Sequence, residues 1–178
     1  MIRADADPRR ARPMIVRPAQ PADAARIAEI YAHYVATSTA TFDEQAPSAD
    51  EIAARIAAVT AAGLPFLVAE RDGAVDGYGY LSSYRPRSAY RNTAESSVYV
   101  AHTARGNGIG RAILERLLDD ASAAGLREIV AVIAVSDDPS SVALHRACGF
   151  EQAGRLTGVG FKHERWLDTV LMQRSLRS

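Results

Sequence analysis

The sequence predicts one α/β domain in which helices pack on a sheet. Strand-like and helix-like segments alternate along the chain, which is the pattern of such domains. With 178 residues, of which 48% are hydrophobic, the chain can bury one core of ordinary size. Residues 1–13 are charged and have no apolar periodicity. We therefore expect a disordered N-terminal extension there and a single folded domain over residues 14–178.

The domain begins with a short strand and two helices. Apolar residues predict the strand over residues 15–18, and an apolar stripe at helical spacing predicts a helix over residues 24–36 that Asp23 can cap. Ser48 and Glu51 have the spacing of a capping box, in which each side chain bonds the backbone N–H of the other residue. A second helix is therefore expected after a polar loop.

A β-hairpin follows the two helices. Residues 66–70 and 74–83 have the composition of strands, and the Asp-Gly pair between them is a strong signal for a tight turn. Residues 82–93 are rich in Arg, Tyr, Ser and Pro and interrupt the apolar pattern. A third strand is expected over residues 95–100, which makes this part of the chain a meander.

The C-terminal half alternates helices and strands. A long helix should stop at Gly125, because glycine readily takes the left-handed conformation that ends helices. The nearly unbroken apolar run over residues 128–135 predicts a central strand buried on both faces. Ser141 can cap a short helix, and residues 151–156 and 169–176 are expected to form the closing strands.

Composition excludes several classes of function. Lys plus Arg and Asp plus Glu both number 21, so no net charge draws the chain to nucleic acid or anionic lipid. No apolar run approaches the roughly 18 residues of a membrane helix. Cys148 is the only cysteine, and the four histidines lack metal-ligand spacing. We expect a cytoplasmic protein with no metal, no nucleic-acid partner and no membrane segment.

A glycine-rich segment between a strand and a helix is the first functional signal. Glycines at alternate positions let a ligand approach the backbone, and the following helix directs unpaired N–H groups to the same place. Flanking arginines can add charge-assisted bonds, which is typical of a pyrophosphate site. The alternative is a turn that only joins two elements. The segment is Arg105-Gly106-Asn107-Gly108-Ile109-Gly110-Arg111.

Two common nucleotide motifs do not fit this segment. A dinucleotide fingerprint needs glycine where Arg111 stands, and a P-loop needs Gly-Lys followed by Ser or Thr. The pattern Arg-Gly-x-Gly-x-Gly instead resembles the acetyl-CoA pyrophosphate loop of the GCN5-related N-acetyltransferase (GNAT) superfamily. This resemblance covers residues 15–176 and implies an α+β fold with a mixed, mostly antiparallel sheet flanked by helices. It also implies acetyl-CoA as co-substrate, with its arm bound by the backbone of a splayed strand at Val98, Tyr99 and Val100.

A second motif supports the resemblance. By its likeness to the superfamily, Asp138 and Ser141 contact the cofactor. Most members carry Asn where Asp138 stands, and a carboxylate can accept hydrogen bonds but cannot donate them. The cofactor role of Asp138 is therefore open. The superfamily pattern Asn-x-x-Ser-x-x-Leu-(Tyr or His)-x-x-x-Gly-Phe is matched here by Asp138, Ser141, Leu144, His145, Gly149 and Phe150.

The strand before the loop resembles the corresponding segment of a GNAT subfamily that acetylates phosphinothricin and methionine sulfoximine. Residues 93–100 match its Thr-x-Glu-x-Ser-Val-Tyr-Val, and by that likeness Glu95 is the general base, acting directly or through water. His145 stands where many members have a tyrosine that protonates the thiolate. A histidine there can be that acid or a partner of Glu95, since its unperturbed pKa is about 6.5. The structural alternatives are a solvated carboxylate at a strand end and a histidine buried between helix and sheet.

The substrate residues are expected in loops. Residues 85–93 resemble the substrate loop of the subfamily, and Arg85 and Arg87 suit bidentate capture of a carboxylate or phosphinate. Tyr90 lies in the same loop. Phe42 resembles an aromatic residue that the subfamily places against the substrate. Solvated arginines and a core aromatic residue are the structural alternatives.

A last resemblance lies before the final strand. Residues 160–168 are similar to the subfamily pattern Gly-x-Lys-x-x-x-Trp-x-Asp. In relatives this region closes over the active site and helps to form a dimer. Lys162 is therefore a candidate substrate ligand, and the resemblance implies a homodimer.

These resemblances imply a reaction. The free α-amine of a small amino-acid analogue attacks acetyl-CoA directly, with Glu95 and His145 moving protons. No covalent intermediate is needed, Cys148 is predicted to pack in the core, and no Gly-x-Ser-x-Gly motif marks a serine nucleophile. The alternatives are acetylation of another amine (a protein N-terminus, a lysine or an aminoglycoside) or a non-catalytic acyl-CoA-binding protein.

Overall fold

A computed structural model describes residues 13–177. The N-terminal extension expected over residues 1–13 lies outside these residues except for its last position. The described chain contains seven strands and four α-helices. In chain order these are β1 (Ile15–Pro18), α1 (Ala24–Thr37), α2 (Ala49–Ala61), β2 (Phe66–Arg71), β3 (Ala74–Ser83), β4 (Thr93–Val100), α3 (Ile109–Ala123), β5 (Glu128–Ala134), α4 (Ser140–Ala147), β6 (Glu151–Lys162) and β7 (Arg165–Ser175).

The strands form one mixed sheet in the order β1-β2-β3-β4-β5-β7-β6. Within the described chain every neighbouring pair is antiparallel except β4 with β5. That parallel pair is short, because only Thr93 to Glu95 pair with Glu128 to Val130. Beyond Glu95, β4 pairs with no strand other than β3, so the sheet opens between its two central strands. The mixed, mostly antiparallel sheet is confirmed.

Helices cover the two faces of the sheet. On one face α3 crosses β3, where a Cβ at Gly77 or Gly79 would come within 3 Å of an isoleucine of the helix. On the other face the ring of Tyr99 makes edge contacts with Tyr31 and Tyr34 of α1. Side chains alternate along a strand. Consequently the even-numbered residues of β4 face α3, and the odd-numbered residues face α1.

Several local signals are confirmed. Ser48 and Glu51 form the capping box of α2, with Ser48 Oγ accepting from Glu51 N at 3.2 Å and Glu51 Oε2 accepting from Ser48 N at 2.7 Å. Asp72 and Gly73 make the hairpin turn with positive φ values of 53° and 81°. Gly125 follows α3 with φ of 78°.

Two predicted caps are wrong. The carboxylate of Asp23 makes no cap bond to α1 and instead accepts two bonds from the guanidinium of Arg17, at 2.8 and 2.9 Å. A charge-assisted pair of this kind is stronger than a bond to a neutral amide, and it lowers the pKa of Asp23. Ser141 does not cap α4, which begins one residue earlier. Asp138 Oδ1 accepts from Ser140 N at 2.9 Å there.

The last two strands are longer than expected. β6 continues to Lys162, and β7 begins at Arg165, so the two form a long hairpin. Its turn consists of His163 and Glu164, which both have positive φ and carry no glycine signal in the sequence. The strand predicted to be buried on both faces is also different at one position, because Val132 of β5 is 43% exposed. The sheet has opened there.

Candidate active site

A cleft lies where β4 and β5 separate. Its volume is about 620 Å³, which is in the range of a ligand site. One wall is the end of β4, including the predicted Val98, Tyr99 and Val100, and the opposite wall is β5 from residue 131 to 134. The turn before α3 and the start of α4 close the rim. Because β4 lacks a neighbour on this side, its backbone groups can bond a ligand arm.

The glycine-rich turn shapes the rim of the cleft. Gly106 and Gly108 have φ of 80° and 75°, in the left-handed region that other residues enter at a cost. A Cβ at either position would meet nothing within 4 Å. Gly110 differs, because its Cβ would lie 3.2 Å from Leu144 and 3.6 Å from Val100. The first two glycines leave room for a ligand, and the third lets α3 approach α4 and β4.

The N terminus of α3 supplies the amide donors. The helix begins at Ile109, and its N-cap, Gly108, makes no side-chain cap bond. The first N–H groups of a helix have no intrahelical partner and carry the positive end of its dipole. The side chain of Ile109 is buried in the core, which fixes the start of the helix. The open space and these amides fit the diphosphate of a CoA thioester.

The two charged candidates of the segment have partners within the chain. The guanidinium of Arg105 bonds the carboxylate of Asp138 and, at 2.9 Å, Ser140 Oγ. Hydrogen bonds from Arg105, which has the largest effect, and from Ser140 lower the pKa of Asp138 to about 2. Arg111 pairs with Glu115 at 2.8 Å. Arg105, Arg111, Asp138 and the predicted Ser141 all line the cleft.

Asn107 has a different position from its neighbours. Its side-chain amide donates to the carbonyl oxygens of Ala104 and Arg105, at 3.1 and 3.3 Å. It is absent from the described residues that line the cleft. Its contacts hold the turn in shape.

Glu95 lies where the sheet begins to open. It forms the last residue pair between β4 and β5, opposite Val130, and alternation places it on the α1 face of the sheet. Among the described residues, the next two of β4, Ser96 and Ser97, line the cleft, whereas Glu95 does not. Burial raises the pKa of Glu95, and the positive charge of Arg85 opposes that rise. A raised pKa suits a carboxylate that accepts protons near neutral pH.

His145 lies in the wall of the cleft and is 4% exposed. Its Nδ1 is 2.8 Å from the carbonyl oxygen of Ser141, and because a carbonyl only accepts, Nδ1 carries the proton. Nε2 is buried and has no hydrogen-bond partner among the described residues. Burial lowers the pKa of His145. The imidazole is therefore neutral at pH 7, with the lone pair on Nε2.

The arginine loop forms a second, smaller pocket of about 250 Å³. Arg85, Arg87 and Tyr90 all line it, so the structure brings these three predicted residues together. The guanidinium of Arg85 lies 5.1 Å from the ring centre of Tyr84, whose ring contacts Tyr90 edge-on. The loop therefore presents cations on a small aromatic support.

The other two predicted substrate residues lie elsewhere, at the β6–β7 hairpin. Phe42 is 41% exposed, and one side of its ring packs at Gly160. Lys162 is 3% exposed, and its ammonium donates to the carbonyl oxygens of Ser38 and Thr41, at 3.0 and 2.8 Å. Among the described residues, neither of these two lines the cleft or the pocket of the arginine loop.

Sequence reasoning missed one wall of the cleft. Tyr34 of α1 lines it, and its hydroxyl donates to the carbonyl oxygen of Val100 at 2.6 Å. His33 and residues 37–40 line the same wall, and Arg165 of β7 also reaches the cleft. No motif marks these residues, because they lie far from the glycine-rich segment in sequence.

Other chemistry finds no support in the described part of the chain. Residues 13–177 contain no group of three or more His, Cys, Asp or Glu side chains able to hold a metal ion. No helix in that range is long and apolar enough to cross a membrane. Cys148 is buried, and burial raises the pKa of its thiol, so a reactive thiolate is disfavoured.

Comparison with known proteins agrees with this geometry. Residues 16–171 match the family model described as "Acetyltransferase (GNAT) domain". A phosphinothricin N-acetyltransferase of Alcaligenes faecalis is 51% identical over 163 residues, which are 92% of this chain and 83% of the relative. An L-methionine sulfoximine/L-methionine sulfone acetyltransferase of Salmonella typhimurium is 38% identical, covering 92% of this chain and 95% of its own.

A solved structure is also similar. It is a GNAT superfamily phosphinothricin acetyltransferase from Sinorhizobium meliloti in complex with AcCoA. It has a TM-score of 0.88 and 47% sequence identity, and the match covers 92% of this chain and 88% of that one. The similarity therefore extends over nearly the whole described domain.

Proposed function

Because this chain belongs to the GNAT acetyltransferase family, we propose that it transfers the acetyl group of acetyl-CoA to the α-amine of a small amino-acid analogue. Phosphinothricin, methionine sulfoximine and methionine sulfone are the analogues that its relatives' names suggest. The observation that carries the proposal is the open cleft between β4 and β5, with Gly106, Gly108 and the start of α3 at its rim.

The cleft holds the co-substrate in this proposal. The amides at the start of α3 bind the diphosphate, and Arg105 adds a positive charge beside them. The free edge of β4 bonds the amides of the pantetheine arm through Val98, Tyr99 and Val100. Such contacts place the thioester deep in the cleft, where the sheet begins to open.

Glu95 prepares the amine. An α-ammonium must lose a proton before its nitrogen can attack the acetyl carbonyl, and the half-buried carboxylate of Glu95 accepts that proton directly or through water. The C–N bond forms, the C–S bond breaks, and the CoA thiolate leaves and then takes a proton. No step requires a covalent bond to the protein.

His145 acts as a proton acceptor in this proposal. The neutral ring carries its proton on Nδ1, and this N–H is bonded to Ser141, so the lone pair lies on Nε2, which is buried in the wall of the cleft. A neutral ring in this tautomer cannot donate a proton from Nε2. Of the two roles expected from the sequence, this geometry disfavours that of acid for the thiolate, and the role of partner to Glu95 stays part of the proposal.

The arginine loop recognises the acid group of the substrate. Arg85 and Arg87 line one pocket with Tyr90, and guanidinium groups bind carboxylates and phosphinates in bidentate geometry. Glu95 lies within the electrostatic reach of Arg85. A zwitterionic substrate would therefore present its acid group to the loop and its amine to Glu95. A polycationic aminoglycoside would be repelled by the same loop.

A CoA-release assay tests the proposal. Thiol release would be followed with DTNB over phosphinothricin, methionine sulfoximine, methionine sulfone, free amino acids, N-terminal peptides and aminoglycosides. We expect turnover on one or more of the free amino-acid analogues. Turnover confined to peptides would refute the substrate class, and no turnover with measured acetyl-CoA binding would indicate a non-catalytic binding protein.

We also propose that the enzyme is a cytoplasmic homodimer. The β6–β7 hairpin exposes apolar side chains, and Trp166 is 71% exposed with its ring 5.1 Å from that of Phe161. Leu156 and Val159 are exposed on β6 as well. Several exposed apolar side chains on one hairpin are typical of an interface. Sedimentation should give a dimer, and Trp166→Glu should give a monomer; a wild-type monomer at micromolar concentration would refute this assembly.

A further inference from the structure

Phe42 is seated at a glycine of β6. A Cβ built at Gly160 would lie 2.5 Å from Cζ and 2.9 Å from Cδ2 of the Phe42 ring, and closer still to Cε2. Ordinary contacts begin near 3.4 Å. Gly160 does not have positive φ, so its backbone would accept alanine. Glycine at position 160 is therefore required by the space that the Phe42 ring occupies and not by the backbone conformation.

Two residues further along β6, the buried Lys162 holds the loop after α1, which carries Phe42. The ammonium of Lys162 donates to the carbonyl oxygens of Ser38 and Thr41, which lie on the two sides of Ala40. Burial lowers the pKa of Lys162, and the nearby negative charges of Asp43 and Glu44 oppose this change. Two of the three N–H groups are used within the chain, and almost none of the residue is exposed. Lys162 is poorly placed to bind a substrate acid group.

The loop that is held in this way borders the cleft. Residues 37–40 line it, and the chain continues directly to Phe42. Thr39 and Thr41 are buried, and Thr41 Oγ1 lies 2.6 Å from the hydroxyl of Tyr31. Phe42, which follows Thr41 directly, remains exposed. The position of the Phe42 ring is therefore set by its contact with β6, a strand that is distant in sequence.

From these contacts we infer that Gly160 and Lys162 are positioning residues that set the size of amine substrate this enzyme accepts, through the ring of Phe42. The inference rests on the proposed function and on the resemblance by which Phe42 contacts the amine substrate. Gly160 provides the space behind the ring, and Lys162 fixes the loop that carries it. A side chain at position 160 would push the ring by about 1 Å or more. Displacements of that size can cost about 100-fold in rate when they misplace a substrate.

The first experiment is a double-mutant cycle with Gly160→Ala and Phe42→Ala, measured for amine kcat/KM and for acetyl-CoA dissociation constant. We expect Gly160→Ala alone to lower kcat/KM for the amine about 10- to 100-fold, mainly through KM, with acetyl-CoA affinity unchanged. In the Phe42→Ala background the same change should have an effect below about twofold, because no ring remains to be displaced. Gly154→Ala is the matched control, since its Cβ would make one ordinary contact, at 3.8 Å.

The cycle separates positioning from simple damage to the strand. If Gly160→Ala lowers kcat/KM equally with and without the Phe42 ring, or no more than Gly154→Ala does, the inference is wrong. The same four proteins would be compared by thermal unfolding, which reports the steric contact without any activity. If the wild type turns over no amine, the proposed function fails, and coupling in the unfolding data would still identify the contact.

The second experiment uses Lys162→Met, which keeps the length of the side chain and removes its N–H donors. We expect KM for the amine to rise by a larger factor than the acetyl-CoA dissociation constant, and the backbone amides of residues 38–43 to exchange hydrogen faster. Unchanged exchange there together with unchanged amine KM would overturn the role of Lys162. A selective loss of affinity for the substrate acid group without faster exchange would instead identify Lys162 as a direct ligand.

Discussion

Replacing Asp138 by asparagine should tighten the binding of acetyl-CoA. In the structure the carboxylate of Asp138 bonds the guanidinium of Arg105, and both line the cofactor cleft. A diphosphate that binds Arg105 must therefore share the guanidinium with Asp138 or displace this carboxylate. Asp138→Asn leaves an amide of the same shape, which releases the arginine and removes a negative charge that repels the diphosphate.

The expected gain follows from the exposure of the pair. The side chains of Arg105 and Asp138 are 46% and 49% exposed, and ion pairs exposed to this degree contribute about 0 to 1 kcal/mol. Since 1.4 kcal/mol corresponds to about tenfold in affinity, the dissociation constant should fall about two- to fivefold at low salt. Because the pKa of Asp138 is about 2, the carboxylate stays ionised above pH 4. The difference between variant and wild type should therefore not depend on pH from 5 to 9.

Calorimetry with acetyl-CoA at two salt concentrations measures this difference. Raising the salt to about 0.5 M should reduce the gain, because exposed charges are screened over less than about 10 Å. Asp137→Asn is the matched control, since it removes the same charge from the neighbouring position on the rim. Weaker binding by Asp138→Asn would show that the carboxylate assists the cofactor, and equal gains in both variants would assign the effect to net charge.

Three further changes test other parts of the site. Glu95→Gln should lower kcat/KM about 100-fold and abolish the acid limb of the pH profile of kcat/KM. In the wild type the midpoint of that limb should lie above the ordinary carboxyl pKa, because burial raises the pKa of Glu95. Wild-type activity in the variant would contradict the role of Glu95 as base. Burial in the folded state lowers the pKa of His145, so the free energy of unfolding of the wild type should fall as pH drops below about 6.5. Between pH 7.5 and pH 5, urea titrations of His145→Phe should show a smaller fall in the free energy of unfolding than those of the wild type. Gly108→Ala should lower the free energy of unfolding by about 1 kcal/mol, since position 108 has φ of 75°, and it should also weaken acetyl-CoA binding. Gly63 has positive φ as well but does not line the cleft. The control Gly63→Ala should therefore lower stability without weakening acetyl-CoA binding.

Much of the fold was predictable because the signals were local. A capping box needs only Ser48 and Glu51, three residues apart, and a tight hairpin turn needs only Asp72 and Gly73. The turn before α3 is likewise encoded by its own glycines. Predictions failed where a charge outside the helix competed with the expected cap bond, as Arg17 does for Asp23. They also failed at the β6–β7 turn, whose residues enter the left-handed region without glycine.

The sequence by itself indicated the family, the glycine-rich turn as a candidate phosphate site and Glu95 as the candidate base, because each depends on residues that are close along the chain. Only the tertiary structure decided what faces the cleft. Tyr34 reaches it by packing on the end of β4, and Lys162 is taken out of it by carbonyl groups more than 100 residues away. Such partners are chosen by the packing of distant elements, and no spacing in the sequence records which carbonyl a buried cation will bind.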